Sequence, residues 1–342
     1  MSTGELDVLG VGNAIVDVLA LTGDEFLAQH GLIKGSMRLI DETEAHSLYT
    51  AMAPARETSG GSAANTIAGV ASLGGKPAYI GRIRRDQLGE IFCHDLRAIG
   101  VHLAVCAAPS GPPTARCLIL VTPDAERTLN TYLGACVDLG PEDIDTELVR
   151  RSKITYLEGY LWDRPRAKEA FLRAARLAGA AGRQVALSLS DSFCVDRHRD
   201  SFLELVRHHV DILFANEAEI KSLYQTDSFE AAVQHARAQT GLVVLTRGAK
   251  GSVLISGNEQ VEIAAEPLSR VVDTTGAGDL YAAGVLFGVT HGYSLAESGR
   301  RGAIAAAEVI GHYGARPETQ LAALTQRILH PAVDPPVDPP GP

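Results

Sequence analysis

Positive charge, aromatic rings, paired cysteines and long apolar runs are all scarce in this chain, and each shortage removes a class of function. Lys and Arg number 31 against 41 Asp and Glu, a net charge of −10. Nucleic acid and anionic membranes both demand clustered positive charge, so neither is an expected partner, and an anionic ligand needs a local device. The five cysteines (Cys93, Cys106, Cys117, Cys136, Cys194) are odd in number and show no C-x-x-C spacing. A disulfide scaffold or a structural zinc site is therefore not expected. No stretch approaches about 18 apolar residues, and MSTGELDVLG lacks the basic start and apolar run of a secretion signal; the expectation is a cytoplasmic protein.

What is present suits a large core. With 342 residues, 36.2 kDa and 46% hydrophobic residues, a folded monomer should bury about 75% of the surface its unfolded chain exposes. Length alone allows two domains. The last twelve residues, PAVDPPVDPPGP, hold six of the sixteen prolines, and residues 331–342 read as an extended, disordered tail. Ahead of it, strand-like runs (6–12, 77–81, 153–159, 184–190, 211–216, 242–248) alternate with helical spacing over 62–73, 86–98, 165–180, 198–208, 216–224 and 228–239. Two short strands within 252–263 and helices over 276–291 and 295–309 follow. This alternation predicts βαβ units and a mainly parallel sheet covered on both faces. Hairpin rather than crossover chemistry is expected between about 101 and 134, and the interrupted regions 13–57 and 107–134 are expected to form a smaller strand-rich lid. Residues 1–12, 58–106 and 135–330 would form the large α/β domain.

Five segments carry candidate chemistry. Asp273-Thr274-Thr275-Gly276-Ala277-Gly278-Asp279 precedes the apolar run LYAAGVLFGV. Small residues opening a helix leave its first N–H groups unpaired, and with the helix dipole they make an anion site without lysine. Asp279, in the first turn, can accept a proton from an attacking hydroxyl; the plainer reading is an N-cap. Gly60-Gly61 precedes the helix SAANTIAGVASL, so backbone there can approach a ligand, with Asn65 one turn in. In Gly10-Val11-Gly12-Asn13-Ala14-Ile15 the third glycine of a dinucleotide fingerprint is missing. Asn13 and Asp17 stand beside this strand. Asn216 and Glu219, three apart, share one helix face at a strand's carboxyl end, either as ligand-binding groups or as a cap. Thr246-Arg247-Gly248-Ala249-Lys250-Gly251 is a glycine turn without Walker A spacing.

Together these segments resemble the ribokinase-like (PfkB) family of carbohydrate and nucleoside kinases, whose amino-terminal signature is matched by Gly60 to Asn65 and whose carboxyl-terminal signature is matched by Asp273 to Asp279. The resemblance runs from about residue 6 to about 320 and includes Gly314-Ala315-Arg316-Pro317; it departs where Arg84 stands at a usual glycine. It implies a three-layer α/β/α sandwich with a small β-rich lid. It implies Asp279 as general base, with the Gly276, Ala277 and Gly278 amides as anion hole. Asn13, Asp17, Gly60, Gly61 and Asn65 would bind substrate hydroxyls, and Asn216, Thr246, Arg247, Gly248 and Gly251 would face ATP. Glu219 would order Mg2+, and a monovalent cation such as K+ beside Asp273 is left open. VLGVGNAIVDVLA, PPTARCLIL around Thr114, LSLSDSFCV and VDILFANEAE look most like adenosine kinases, which adds Thr114 as a substrate contact. A nucleoside base needs a stacking wall, and Tyr160, Trp162, Leu133 and Met37 are candidates. The implied activity is ATP-dependent phosphorylation of the 5′-hydroxyl of adenosine or a related purine nucleoside by a monomer or homodimer. A ribose- or fructose-type sugar kinase shares the hydroxyl contacts, and a non-catalytic nucleotide-binding regulator is the alternative from another class.

Overall fold

In the computed structural model, residues 4–124 and 126–331 are described, the Cys106 side chain excepted, so the proline-rich tail beyond 331 lies outside the described residues. The first half runs β1 (Leu6–Val11), β2 (Ile15–Leu21), α1 (Asp24–Gln29), β3 (Met37–Leu39), α2 (Glu42–Ala51), β4 (Arg56–Gly60), α3 (Ser62–Ser72), β5 (Pro77–Arg84), α4 (Gln87–Ala98), β6 (His102–Ala108), β7 (Ala115–Val121) and β8 (Arg127–Tyr132). It continues with α5 (Thr146–Arg151), β9 (Ser152–Glu158), α6 (Pro165–Ala180), β10 (Gln184–Ser188), α7 (Ser192–His209), β11 (Ile212–Asn216), α8 (Glu217–Tyr224) and α9 (Phe229–Arg237). The last elements are β12 (Leu242–Thr246), β13 (Ser252–Ser256), β14 (Glu259–Ile263), α10 (Ala277–Thr290), α11 (Leu295–Val309) and α12 (Leu321–Leu329).

Strand β1, LDVLGV, is buried along its whole length, as a strand covered on both faces must be. Its side chains alternate between two cores. Leu9 and Val11 point into one with residues of α6 to α9, and Val8 into the other with residues of α3, α4, α10 and α11. That is the three-layer α/β/α sandwich. The nine-stranded sheet has the order β14-β13-β12-β11-β10-β9-β1-β5-β6. It is parallel from β12 to β6, and β13 and β14 add antiparallel at one edge. The chain leaves β1 toward β5 on one side and returns through β9 on the other. This topological switch opens a crevice at the carboxyl ends of the strands.

A second, five-stranded sheet has the order β3-β8-β7-β2-β4. One of its faces, with Val16, Val18, Leu118 and Leu120, packs with α1 and α2 through Leu27 and Leu48. The other gathers Ile15, Leu19, Cys117, Ile119, Val121 and Leu129, and part of that face borders the crevice.

Three local expectations shift. α7 begins at Ser192 rather than near 198, because Asp191 caps it through the Phe193 N–H (2.6 Å), with a break at His198. Helices α1 and α2 lie inside a region expected to be strand-rich, and the Asp41 carboxylate caps α2. Arg84 closes β5 in register with Ala108, so the segment at the usual glycine is strand.

Candidate active site

Two helix N-termini meet at the crevice. Gly276, with φ +80°, turns the chain into α10, and a Cβ there would strike Ala315. Gly61, with φ +93°, opens α3, and its Cβ would collide with the Asn13 carbonyl oxygen. Only glycine takes both conformations without strain. Asp279, in the first turn of α10, is where the helices join. Ser62 Oγ donates to its Oδ1 (2.6 Å) and Asn65 Nδ2 to its Oδ2 (3.0 Å). Enclosure raises the Asp279 pKa, while Ser62, Asn65 and Arg316 pull it back down.

Asp279, Asn65 and Asp17 border one cavity of about 420 Å3. Asp17 projects from β2 beside Gly60, where a Cβ would press on its carboxylate. Enclosure pushes Asp17 up to about 6, opposed by Arg316 and Arg127. The opposite wall is apolar, with Ile15, Cys117, Ile119 and Leu129 from the five-stranded sheet; Tyr160 and Phe214 also line the cavity. A neighbouring cavity of about 650 Å3 is bordered by Gly248, Gly251, Ala303, Ala306 and Ile310, and Thr246, Gly278 and Tyr281 line both. The two chambers therefore meet at the start of α10.

Several expected residues stand elsewhere. Thr114 is fully buried away from both cavities. Its Oγ1 donates to Asp86 Oδ1 (2.6 Å) and accepts from the Arg84 N–H (3.0 Å), in the same cluster where Asp86 caps α4. A buried hydroxyl must find such partners, so Thr114 is structural. Thr114→Val should cost about 1–3 kcal/mol of stability, since Asp86 loses a buried donor, with the acceptor KM unchanged; thermal melts beside steady-state kinetics check both. Asn13 borders neither cavity: its Nδ2 donates to Glu158 Oε1 (2.6 Å), and Oδ1 has no partner among the described residues. Arg247 donates from Nε to Glu217 (3.0 Å) and stacks 4.1 Å from the Phe229 ring, so its charge is turned away from both chambers. Trp162 is 2% exposed, packs on Phe171 and Phe202 and donates to Ser201 (2.7 Å), so it is core and not a base wall. Met37 lies exposed on edge strand β3, and Leu133 borders neither chamber.

Asn216 and Glu219 cap a helix and also border the first cavity. They form a capping box, with Asn216 Oδ1 accepting from the Glu219 N–H (2.9 Å) and Asn216 Nδ2 donating to Glu219 Oε1 (2.6 Å), and both line the first cavity. Burial pushes Glu219 up to about 7. Among the described residues no group of three or more His, Cys, Asp or Glu converges. Mg2+ needs only one or two carboxylates beside phosphates and water, so Glu219 fits as its single protein ligand. An alkali ion fits less well. Asp273 Oδ1 already accepts from the Thr275 N–H (3.0 Å), and Oδ2 accepts from the Gly314 N–H (3.0 Å) and from Arg127 Nη1.

Sequence reasoning missed Glu158. It ends β9 with 1% exposure, accepts from Asn13 and from the Ala63 N–H (2.7 Å), and is pushed up to about 7 by burial. It thus ties β1 to the start of α3. Its signal was present: an acid at the carboxyl end of a buried strand, with Gly12 leaving room for its carboxylate. Arg316 escaped as well; it pins β4 and α3 through the Ser59 (2.9 Å) and Ala64 (2.5 Å) carbonyls.

A carboxylate between two helix N-termini at the switch point of such a sheet suits a phosphotransferase with an alcohol group as acceptor. The model of the pfkB family carbohydrate kinases matches residues 34–321, and the chain belongs to that family. It is 54% identical to a solved adenosine kinase from Sinorhizobium meliloti, covering 95% of this chain and 100% of that one with a TM-score of 0.88. A solved probable sugar kinase protein from Rhizobium etli is 52% identical, covering 95% and 99%, also with a TM-score of 0.88. Among curated relatives, the Saccharomyces cerevisiae adenosine kinase is 27% identical over 84% of this chain and 90% of its own length. The 5-dehydro-2-deoxygluconokinase of Shouchella clausii is 26% identical over 90% and 91%. No helix among the described residues is long and apolar enough to cross a membrane.

Proposed function

We propose that this chain transfers the γ-phosphoryl group of ATP to the 5′-hydroxyl of adenosine or a related purine nucleoside, in the cytoplasm where ATP is abundant. The observation that carries the reading is the two-sided cavity. Asp17, Asn65 and Asp279 offer polar groups to a ribose, while Ile15, Ile119 and Leu129 offer an apolar surface of the kind a purine needs. A sugar alone would leave that wall in contact with water. The second chamber, apolar and opening on Gly278, suits the adenine end of ATP.

In this reading Asp279 accepts the proton of the attacking hydroxyl, and Ser62 and Asn65 hold its carboxylate in line. The Gly276, Ala277 and Gly278 amides stabilise charge on the transferring group at the helix N-terminus. Glu219 would hold Mg2+, which neutralises phosphate charge when bound. The segments 13–57 and 107–134 act as a lid whose apolar face excludes water.

A coupled ADP assay over a substrate panel tests the proposal. Adenosine should exceed ribose, fructose and 5-dehydro-2-deoxygluconate in kcat/KM by about a hundredfold or more, the effect of burying one purine ring. Comparable turnover of a free sugar would favour the sugar-kinase reading, to which the Rhizobium etli and Shouchella clausii relatives lend support.

The acid limb of kcat/KM should lie near pH 6, because Asp17 titrates at about 6 and Asp279 is raised above its ordinary value. Ionised carboxylates are the active forms, so activity falls as pH drops through these values. Ser62→Ala removes a donor to the anion and should move part of the limb upward by about half a pH unit or more. A flat profile down to about pH 4.5 would contradict the raised Asp17 carboxylate.

A further inference from the structure

Resemblance left open an alkali cation at Asp273, and the donors around that carboxylate do not suit one. We propose that Arg127 is a built-in cation for the phosphoryl-transfer loop: its guanidinium meets the charge requirement of Asp273, so the kinase activity is independent of K+. The inference rests on the reading of Thr274 to Asp279 as that loop.

Asp273 is 6% exposed and Arg127 8%. A carboxylate so buried beside an anion hole would repel incoming phosphates unless a positive charge stood against it. Arg127, the first residue of β8, supplies that charge. Its Nη1 donates to Asp273 Oδ2 and to Thr275 Oγ1 (2.6 Å), while Nε and Nη2 have no partner among the described residues. Among the described residues the guanidinium is therefore anchored by Asp273 and Thr275 alone. Asp273 Oδ1 accepts from the Thr275 N–H, which closes a ring of Arg127, Asp273 and Thr275 one residue before Gly276. The ring holds the peptide that leads into the amides of Gly276 to Gly278. A planar, permanently charged guanidinium can both neutralise the acid and orient the threonine, which a spherical ion cannot do through fixed N–H directions. Because β8 belongs to the five-stranded sheet, the same contact joins that sheet to the loop. Arg127 is in this sense a positioning residue.

The test follows ADP formation from ATP, Mg2+ and adenosine while K+ rises from zero to about 100 mM, with tetramethylammonium chloride holding ionic strength constant. Wild type should change by less than about twofold, whereas Arg127→Met should be slowed at least about tenfold without K+ and recover most of that loss with it. The melting temperature of Arg127→Met should rise with K+ but not with tetramethylammonium, and that of wild type should not move. Arg127→Lys keeps the charge and should remain insensitive to K+. Arg127→Gln is a second neutral variant should the methionine one fold poorly. Activation of wild type severalfold by K+ would overturn the proposal, as would a folded neutral variant whose rate and melting ignore K+. If Asp279→Asn keeps its turnover, the loop reading fails; K+ activation of wild type with Asp279→Asn inactive fails only the role of Arg127.

Discussion

Asp279→Asn is expected to lower kcat about a thousandfold or more while nucleoside affinity stays near that of wild type. The substitution keeps the shape of the side chain and removes its basicity. It also places an amide N–H₂ where Ser62 and Asn65 now donate, so one of those two hydrogen bonds must turn or break. Because both donors sit on α3, loss of the anion slackens the link between the two helix N-termini as well as the proton acceptor. Steady-state kinetics beside ligand-induced thermal stabilisation separate the effects: turnover collapses and adenosine still raises the melting temperature. Near-normal turnover would remove Asp279 from the base role.

Asp17→Asn should raise the KM for adenosine about a hundredfold with a smaller change in kcat. A carboxylate that accepts two hydroxyl hydrogens contributes roughly 1.5–3 kcal/mol per bond, and Asp17 is the carboxylate at the ribose end of the cavity in the proposed pose. Deoxy substrates provide the cross-check. 2′- and 3′-deoxyadenosine should bind wild type poorly and should lose little more in the variant, since the lost contact is shared. The same change should stabilise the free protein. The folded pKa of Asp17, about 6, lies above the ordinary carboxylate value of 3.8, so the folded state holds the proton more tightly. Stability is then lost as pH rises between these values, and above about pH 6 the asparagine variant avoids a cost of about 1–3 kcal/mol. A lower melting temperature for Asp17→Asn at neutral pH would show that the carboxylate is not under the strain its enclosure implies.

How much of the fold was legible follows from the range of the interactions involved. The helix openings at Gly61 and Gly276, the capping pair Asn216 and Glu219, and the buried strands of the large sheet were readable, since each depends on a few neighbouring residues or on a short period. Boundaries failed where one cap decides them: Asp191 starts α7 well before its apolar pattern becomes regular. In the candidate site, residue type and spacing together with the family resemblance singled out Asp279, Asp17, Asn65 and Glu219, and the structure gathers these around one cavity. The same reasoning enlisted Thr114 and Arg247, whose side chains turn to Asp86 and Glu217. It also passed over Glu158, 145 positions from Asn13, and Arg127, 146 from Asp273.

By itself, then, the sequence determined the layered α/β architecture and which glycines open helices, because these are local properties of backbone conformation and periodic burial, while its signature motifs carried the resemblance to the kinase family. Tertiary structure alone decided which polar groups face the cavity and which are consumed as supports. Whether a side chain meets a ligand or a distant partner depends on strand order and register, which bring residues more than a hundred positions apart into contact. The buried carboxylates of Glu158 and Asp273 make the point: each needs donors beyond those its neighbours in the chain provide, and the fold supplies them from Asn13 after β1, from α3, from β8 and from the loop at Gly314.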